Sequence, residues 1–210
     1  MHIRNWAAFA LLQCVPPRVW AVQPGEAVPD IAVRDCAGTE VRLSAYHQKR
    51  HVIILAEKPG VKLAPALLNS TAAELAPLDT VVLVLAGDAA ENRRFLNSDP
   101  PATLLVDPGG VVRRLLPGQA LTGLELVSFV KRWQFGKTVF NAECARCHGE
   151  DGDSHLCEDV KPLLGIGRRL TEAQIKEKLR MAPINDQYLI RGQFYTKEEV
   201  EAVIVYVGGL

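Results

Sequence analysis

Two cysteines and a histidine stand close together in residues 144–148, which read Cys-Ala-Arg-Cys-His. This C-x-x-C-H spacing attaches a c-type haem, because two thiols about one helical turn apart can form thioethers with the two vinyl groups. The histidine that follows can then reach the iron. We therefore predict one covalent haem c on Cys144 and Cys147, with His148 as an axial iron ligand.

The same motif is open to a second interpretation. In a zinc site Cys144 and Cys147 would share the metal with two later ligands, and His155 and Cys157 lie close enough downstream to serve. The residues on either side of the motif favour haem over zinc.

The residues on either side of the motif, within 136–210, follow a recognisable order. They are Gly136-Lys137-Thr138-Val139-Phe140 before the motif, Gly149 after it, then Pro162-Leu163-Leu164-Gly165, Met181-Ala182-Pro183 and the apolar-periodic stretch 196–206. In this order they resemble a small class I cytochrome c, over about a third of the chain. The resemblance implies an all-α cytochrome c domain whose two terminal helices cross where a glycine faces an aromatic ring. Gly136, Phe140 and Tyr206 match that contact.

Helix signals in this region can be read from the residues themselves. Thr171 with Gln174, and Thr196 with Glu199, have the spacing of a capping box. After Thr196, apolar residues recur at helical spacing, at Val200, Val203, Ile204 and Val207. A domain of 75 residues has a marginal protein core, so the haem would supply much of the core.

The number and positions of the methionines predict the sixth iron ligand. The chain holds two, Met1 and Met181, and Met1 belongs to the initiation end. Pro183 forbids further helix after the predicted helix 171–180, which places Met181 in a loop where the family has its axial methionine. We predict that the Met181 thioether binds iron opposite His148, with His155 as the competing ligand.

Residues 1–21 have the pattern of a secretory signal peptide. They combine a positively charged start, a short apolar run and a small-residue cleavage site at Ala21. The apolar run is too short to span a bilayer, although lipidation of Cys14 is an alternative that would add a membrane anchor. Because haem attachment of this type resembles chemistry done outside the cytoplasm, we expect a periplasmic protein without a transmembrane span.

The charge balance limits the partners. The chain has 24 basic and 24 acidic residues, and cleavage after Ala21 would leave 22 basic against 24 acidic, a net charge near −2. Nothing in this balance favours nucleic acid. Redox proteins are therefore the expected partners.

Residues 22–135 alternate strands with helices. Strands are predicted at 31–34, 40–43, 51–55, 81–85, 103–106 and 111–115, and helices at 65–76, 89–96 and 122–133. This order indicates an α/β domain with a mixed sheet flanked by helices. Together with Pro29-Asp30, Val41-Arg42-Leu43-Ser44 and the stretch 101–107, it resembles the thioredoxin-like redoxin domains. The resemblance implies a cis peptide bond before Pro101, facing the position of the reactive cysteines.

The chain departs from that family where its chemistry would lie. A working member has one or two cysteines at the start of the helix after its buried strand, where the helix lowers the thiol pKa. Here residues 56–65 hold none. Without a thiolate, disulfide exchange and peroxide reduction cannot follow the family's route. We predict a redox-inactive docking or scaffolding domain.

Two further cysteines remain. Cys36 is predicted at the first hairpin, away from the family's active face, and Cys157 lies after the haem motif. In an oxidising compartment they would pair or stay as free thiols.

The predicted domains, 22–135 and 136–210, meet without a flexible linker. Trp133 is expected to close one helix and Gly136 to open the next, with Gln134-Phe135 between them. Two residues cannot let the domains tumble freely, so a fixed orientation is expected.

Three functions compete. The first is a carrier of single electrons, the second a haem peroxidase or haem-based sensor, and the third a binding module for a periplasmic oxidoreductase. A peroxidase needs an open iron position and an acid–base residue such as His155. The predicted Met181 ligand closes that position and favours the electron carrier over an enzyme. Arg168, Arg169 and Arg180 are candidates to neutralise haem propionates or to form a docking patch.

Overall fold

The computed structural model describes residues 22–153, 160–179, 183–184, 187–190 and 193–210, with only the strand backbone between 183 and 194. Several predictions fall on residues outside these ranges: the signal peptide with Cys14, the haem-ligand candidates His155 and Met181, and Cys157 and Arg180. They stay predictions.

Six strands form a mixed sheet in the amino-terminal half. They are β1 (Ala32–Arg34), β2 (Glu40–Arg42), β3 (His51–Ala56), β4 (Thr80–Leu85), β5 (Ala102–Val106) and β6 (Val112–Pro117). Their spatial order is β2-β1-β4-β3-β5-β6. Strands β3 and β4 run parallel, and every other neighbouring pair is antiparallel. The valine-rich and leucine-rich central strands are buried because helices cover both faces.

Six α-helices lie in the described part of the chain. They are α1 (Pro65–Leu75), α2 (Ala89–Leu96), α3 (Gly123–Glu143), α4 (Ala145–His148), α5 (Glu172–Lys178) and α6 (Lys197–Val207). Helix α1 connects the parallel strands β3 and β4, and α2 leads from β4 to β5. Short 3-10 helices lie at Leu43–Tyr46, Ala76–Leu78 and Ile166–Arg168.

Local sequence signals are confirmed at several helix starts. Thr171 and Thr196 cap α5 and α6 through capping boxes with Gln174 and Glu199. Asp88 caps α2 in the same way, accepting the backbone N–H groups of the first turn. The peptide bond before Pro101 is cis, as the redoxin resemblance implied.

The predicted break between two helices is wrong, because α3 is a single helix of 21 residues that runs through Gln134 and Phe135. Neither residue interrupts a helix, and the 3.6-residue pattern continues across them. Gly136 does not open a new helix but lies inside α3, where its missing side chain admits a neighbouring helix. The two halves of the chain are thus joined by continuous helical backbone.

The sheet has two cores of different extent. On one face, apolar side chains from the strands pack with Val22, Val28 and Leu96. On the other face, Ile53 and Leu105 pack with residues of α1 and α3, and this cluster continues into α6 and Leu210. The second core therefore spans both halves of the chain.

Polar contacts also cross between the halves. Arg113 of β6 pairs with Asp151 at 3.5 Å, and Arg168 pairs with Glu26 at 3.1 Å. Arg114 forms a third ion pair, with Glu172 of α5. A Cβ on Gly209 would overlap the carbonyl group of Arg113, so the two backbones are in close contact. These contacts hold the orientation that the short junction predicted.

The predicted all-α region also contains strands. The backbone at Pro183–Ile184, Gln187–Ile190 and Gln193–Thr196 forms a three-stranded antiparallel sheet, β7 to β9, just before α6. Val, Ile, Tyr and Phe favour strands, and the stretch contains Tyr188, Ile190, Phe194 and Tyr195. The helices of this region are present as predicted, and the sheet is an addition to them.

Candidate haem site

The C-x-x-C-H motif occupies one helical turn. Cys144 ends α3 and begins α4, and its carbonyl oxygen accepts the backbone N–H groups of Cys147 at 3.1 Å and His148 at 3.0 Å. Gly149 then stops the turn with a positive φ of 75°. A single rigid turn thus carries both thiols and the adjacent imidazole, which is the backbone arrangement that two-point haem attachment needs.

The sulfur chemistry of the two cysteines differs. Cys147 is 3% exposed, whereas Cys144 is half-buried. The Cys147 sulfur is disulfide-bonded. Thioether formation consumes a free thiol at each position, so haem attachment requires that this disulfide be reduced first. With both thiols reduced, the residues fit a covalent haem.

The predicted crossing of the terminal helices is confirmed. A Cβ on Gly136 would overlap the carbonyl group of Ala202 in α6 and would lie 2.9 Å from the Tyr206 Cβ. Phe140, one turn further along α3, places its ring 5.2 Å from that of Tyr206. This close approach anchors α3, and with it the attachment turn, against α6.

Two aromatic residues that sequence reasoning did not assign to the site extend this contact. The Trp133 ring lies 5.2 Å from Tyr206 on one side and 5.2 Å from His51 of β3 on the other. Phe140, Tyr206, Trp133 and His51 thus form a line from the haem half into the sheet. The helical spacing of Trp133 and Phe140 on α3 was a signal that both share a face.

The Tyr206 hydroxyl has a defined role in this line. It donates a hydrogen bond to the Glu150 carbonyl oxygen at 3.2 Å, which ties α6 to the loop after the haem motif. Burial raises the pKa of Tyr206 to about 12, so the phenol keeps its proton throughout the physiological range.

A second tyrosine reaches the end of α3. Tyr195 of β9 is 7% exposed and hydrogen-bonds with the Glu143 carboxylate, next to Cys144. Burial, together with that hydrogen bond, raises the pKa of Tyr195 to about 12. The small sheet thereby fixes the residue that precedes the first haem cysteine.

Two of the arginines proposed for the propionates, Arg168 and Arg169, have protein partners. Arg168 pairs with Glu26, and Arg169 donates to the carbonyl oxygens of Pro162 and Leu164 at 3.4 Å each. Arg168 thus joins the two halves of the chain. Its charge is matched by a carboxylate of the protein.

The thioredoxin-like half has no thiol at the family's position. Residues 57–64 form the loop between β3 and α1, and α1 begins at Pro65. Cys36 lies nearer to this region than predicted. It lines a cavity with Glu57, Leu63 and Pro65, so the prediction that it lies away from the active face is wrong. The turn after β1 places Cys36 under α1. This contact joins residues far apart in the sequence, so the local hairpin pattern did not predict it.

The Cys36 thiol is reduced in the structure. It donates weakly to the carbonyl oxygens of Val82 at 3.6 Å and Leu68 at 3.8 Å. Burial raises the pKa of the thiol, and the charge of Asp35 adds to the effect. A raised pKa disfavours the nucleophilic thiolate, so Cys36 does not replace the missing cysteines of the redoxin family.

Comparison with protein families agrees with the geometry of the carboxyl-terminal half. Residues 134–210 match the model of the cytochrome c family, which implies a covalently bound haem c. The match begins inside α3, close to the predicted boundary. A search of curated proteins found no match to the chain.

Solved structures similar to the chain are thioredoxin-like proteins. They include the reduced 2-Cys peroxiredoxin of Plasmodium vivax, with 12% identity and a TM-score of 0.44, covering 54% of this chain and 98% of that one. The thioredoxin domain of a thiol-disulfide oxidoreductase from Bacteroides vulgatus has 18% identity and a TM-score of 0.37, with 53% and 98% covered. The mitochondrial 2-Cys peroxiredoxin of Plasmodium falciparum has 9% identity and a TM-score of 0.40, with 54% and 96% covered.

The thioredoxin-like fold of the amino-terminal half rests on its own topology. The strand order and the α1 connection between β3 and β4 are the features that carry it. The chain therefore combines a half with this topology and a carboxyl-terminal part, residues 134–210, that matches the cytochrome c family. Among the described residues, no helix is both long and apolar enough to cross a membrane.

Proposed function

We propose that the protein is a periplasmic electron carrier with one haem c, attached to Cys144 and Cys147. The observation that supports this most directly is the C-x-x-C-H turn, which follows α3 directly and lies in a region that matches the cytochrome c family. Helix α3 in turn packs against α6 at Gly136. The motif occurs once in the sequence, which sets the expected number of haems at one. Export follows from the signal-peptide pattern of residues 1–21.

The bound haem would supply the iron that cycles between ferric and ferrous states. The chain's own residues would hold that iron in place. His148, in the turn with Cys147, and Met181 would be the protein ligands that hold it. The contact of Gly136 with α6 would keep the turn from shifting when the charge of the site changes.

The thioredoxin-like half would serve as a docking or scaffolding domain without thiol chemistry. Its loop 57–64 holds no cysteine, and the thiol of Cys36, which lies beside this loop, has a raised pKa. Insulin reduction and peroxide consumption by the purified protein should match a buffer control. Thiol-dependent turnover that persists without haem would contradict this part of the proposal.

The spectrum tests the electron-carrier function. The ferric protein should show a weak far-red band from the thioether–iron bond, and the ferrous protein should bind carbon monoxide poorly. Replacing the ligand in Met181→Ala should abolish the band, open the iron to ligands and lower the reduction potential. His155→Ala is the matched control and should change none of these.

Two results would contradict the proposal. If His155→Ala alters the spectrum while Met181→Ala does not, the sixth ligand is His155. Ready binding of carbon monoxide by the unaltered protein would favour a peroxidase or a sensor instead. Mass spectrometry of the protein from cells with a cytochrome maturation system should show one added haem that acid acetone does not extract.

A further inference from the structure

A cleft opens at the edge of the sheet where the parallel strands β3 and β4 both end. It measures ≈ 490 Å³ and lies between the loop 57–62, which follows β3, and residues Gly87 and Asn92, which follow β4. In α/β sheets, small molecules bind outside the carboxyl ends of parallel strands. The volume is also in the range of small-molecule sites. The electron-transfer function proposed above makes no use of this cleft.

The charge of the cleft is positive. Arg34, Lys58 and Lys62 line it together with one carboxylate, Glu57. That carboxylate is already engaged, because its Oε1 accepts the Leu63 backbone N–H at 2.7 Å and its Oε2 lies 3.7 Å from the Arg34 Nη2. Two positive charges therefore remain in excess.

Several donors in the cleft lack a partner. The Nε of Arg34 is buried and has no hydrogen-bond partner in the described part of the chain. Lys58 and Lys62 form no ion pair with any described residue. Both lysines are exposed at the cleft. These donors are available to oxygen atoms of an anion.

An amide side chain completes the polar lining. Asn92 of α2 is 8% exposed, and its side chain forms no hydrogen bond with the described residues. Its backbone N–H is used within the helix, by the Asp88 carbonyl oxygen. The side-chain amide is not buried away from solvent, so at the cleft it is open to an acceptor from a ligand.

Apolar groups separate these donors. Pro59, Val61 and Leu85 line the same cleft, and Val61 is 56% exposed. A simple inorganic ion would leave these groups uncovered, whereas the carbon chain of an organic anion would cover them.

We propose that this cleft binds a small organic dicarboxylate. Its two negative charges match the excess of two positive charges, with Arg34, Lys58 and Lys62 as the donors. Its carbon chain lies against Val61, and one of its oxygens accepts from the Asn92 amide. The site occupies the loop where redoxin domains carry their cysteines, so this loop binds a ligand in place of thiol chemistry.

The test uses the full haem-loaded chain and succinate as the probe. Titration followed by ¹⁵N NMR should shift the Asn92 side-chain amide and the Arg34 Nε–H signals, with saturation. In calorimetry, Lys62→Gln and Arg34→Gln should each weaken succinate binding about tenfold or more, since each removes a charge-assisted hydrogen bond. Lys58→Gln, at a second exposed lysine, keeps the test valid if Arg34→Gln does not fold.

Matched controls distinguish a specific binding site from non-specific electrostatic attraction. Lys49→Gln removes an exposed lysine on the same half, outside the cleft, and should leave succinate affinity unchanged. Dimethyl succinate, which is neutral, should not bind. The proposal is overturned if the two NMR signals do not respond, if Lys49→Gln weakens binding as much as Lys62→Gln, or if inorganic phosphate binds as tightly as succinate.

Discussion

The two faces of the six-stranded sheet are covered by different parts of the chain. One face is covered by α2 and the segment from Val22 to Val28, and its core uses side chains of the amino-terminal half alone. The other face is covered by α1 and α3, and its core runs on into α6 and ends at Leu210. The first core is complete without residues 136–210, and the second is not. We infer that the cytochrome-like half forms part of the thioredoxin-like fold's packing rather than an appendage.

The largest effect is expected from filling the space at Gly136. In Gly136→Val the added side chain would overlap the Ala202 carbonyl group and displace α6 from α3. Overpacking of this kind should lower the free energy of unfolding by about 3 kcal/mol or more. Urea denaturation of the haem-loaded chain, followed by far-ultraviolet circular dichroism, measures the loss. Thr138→Ala, an exposed change on the same helix, should cost less than about 1 kcal/mol; equal losses would contradict the shared core.

The next effect is expected at Arg113, which both halves contact. Its Nε lies 2.7 Å from Asp107 Oδ2, and both side chains are nearly buried, at 9% and 13% exposure. Arg113→Met should lower the free energy of unfolding by about 3 kcal/mol, because it leaves the Asp107 carboxylate without its counter-ion.

Asp151 provides the matched comparison from the other half. It also contacts Arg113, but its side chain is 69% exposed. Asp151→Asn should therefore cost less than about 1 kcal/mol in the same denaturation experiment. If the two variants lose the same stability, the contact across the halves is stronger than its exposure indicates.

A proline at position 135 tests the continuity of α3. Phe135 is 40% exposed, so Phe135→Ala should change stability only slightly. Phe135→Pro removes a helical hydrogen bond and crowds the preceding turn, which should cost about 3 kcal/mol. Thermal melts of both variants give the comparison. A proline that costs no more than the alanine would restore the interpretation of Gln134-Phe135 as a linker between separate helices.

The smallest effect concerns the pH dependence of the shared core. Burial lowers the pKa of His51 below its usual 6.5, and Lys137 adds to this. Arg113 also lowers it, whereas Asp107 and Asp79 oppose the shift. The folded state therefore takes up a proton at His51 less readily than the unfolded state, so stability is lost as the pH falls below 6.5.

Replacement of the imidazole isolates this contribution. His51→Phe keeps a ring beside Trp133 but does not titrate. Denaturation at pH 7.5 and at pH 5.5 should show a smaller loss of stability in the variant, by about 1 kcal/mol. Identical pH dependence of the two proteins would show that His51 is not protonated on unfolding in this range.

Elements with local signals were predictable from the sequence. The bounds of α2 were predicted as found, since Asp88 and Asn97 mark its two ends. The caps at Thr171 and Thr196 depend on residues three apart, which a sequence displays directly. The contact of Gly136 with Tyr206 was predictable only through the cytochrome resemblance, because it joins residues far apart in the chain.

What the sequence did not show depends on such distant contacts. The sequence predicts a helix start at Gly136, where the cytochrome resemblance begins. The close approach of Ala202, which explains a glycine inside a longer helix, is a tertiary contact. The position of Cys36 under α1 and the line from Trp133 to His51 depend on how β1 and β3 pack. Met181 lies outside the described residues, and its role as an iron ligand stays a prediction.

Because α3 is continuous, the number of residues at the junction sets the angle at which the haem half leaves the sheet. Each residue of an α-helix turns the chain by about 100° and advances it by about 1.5 Å. One residue inserted between Trp133 and Gly136 would thus rotate Gly136, and the haem turn that follows it, away from the Ala202 position that Gly136 contacts now. Insertions of three or four residues would nearly restore the angle but shift the register by about 5 Å. Fusions of other cytochromes to this sheet would need a matching helical phase as well as a matching sequence.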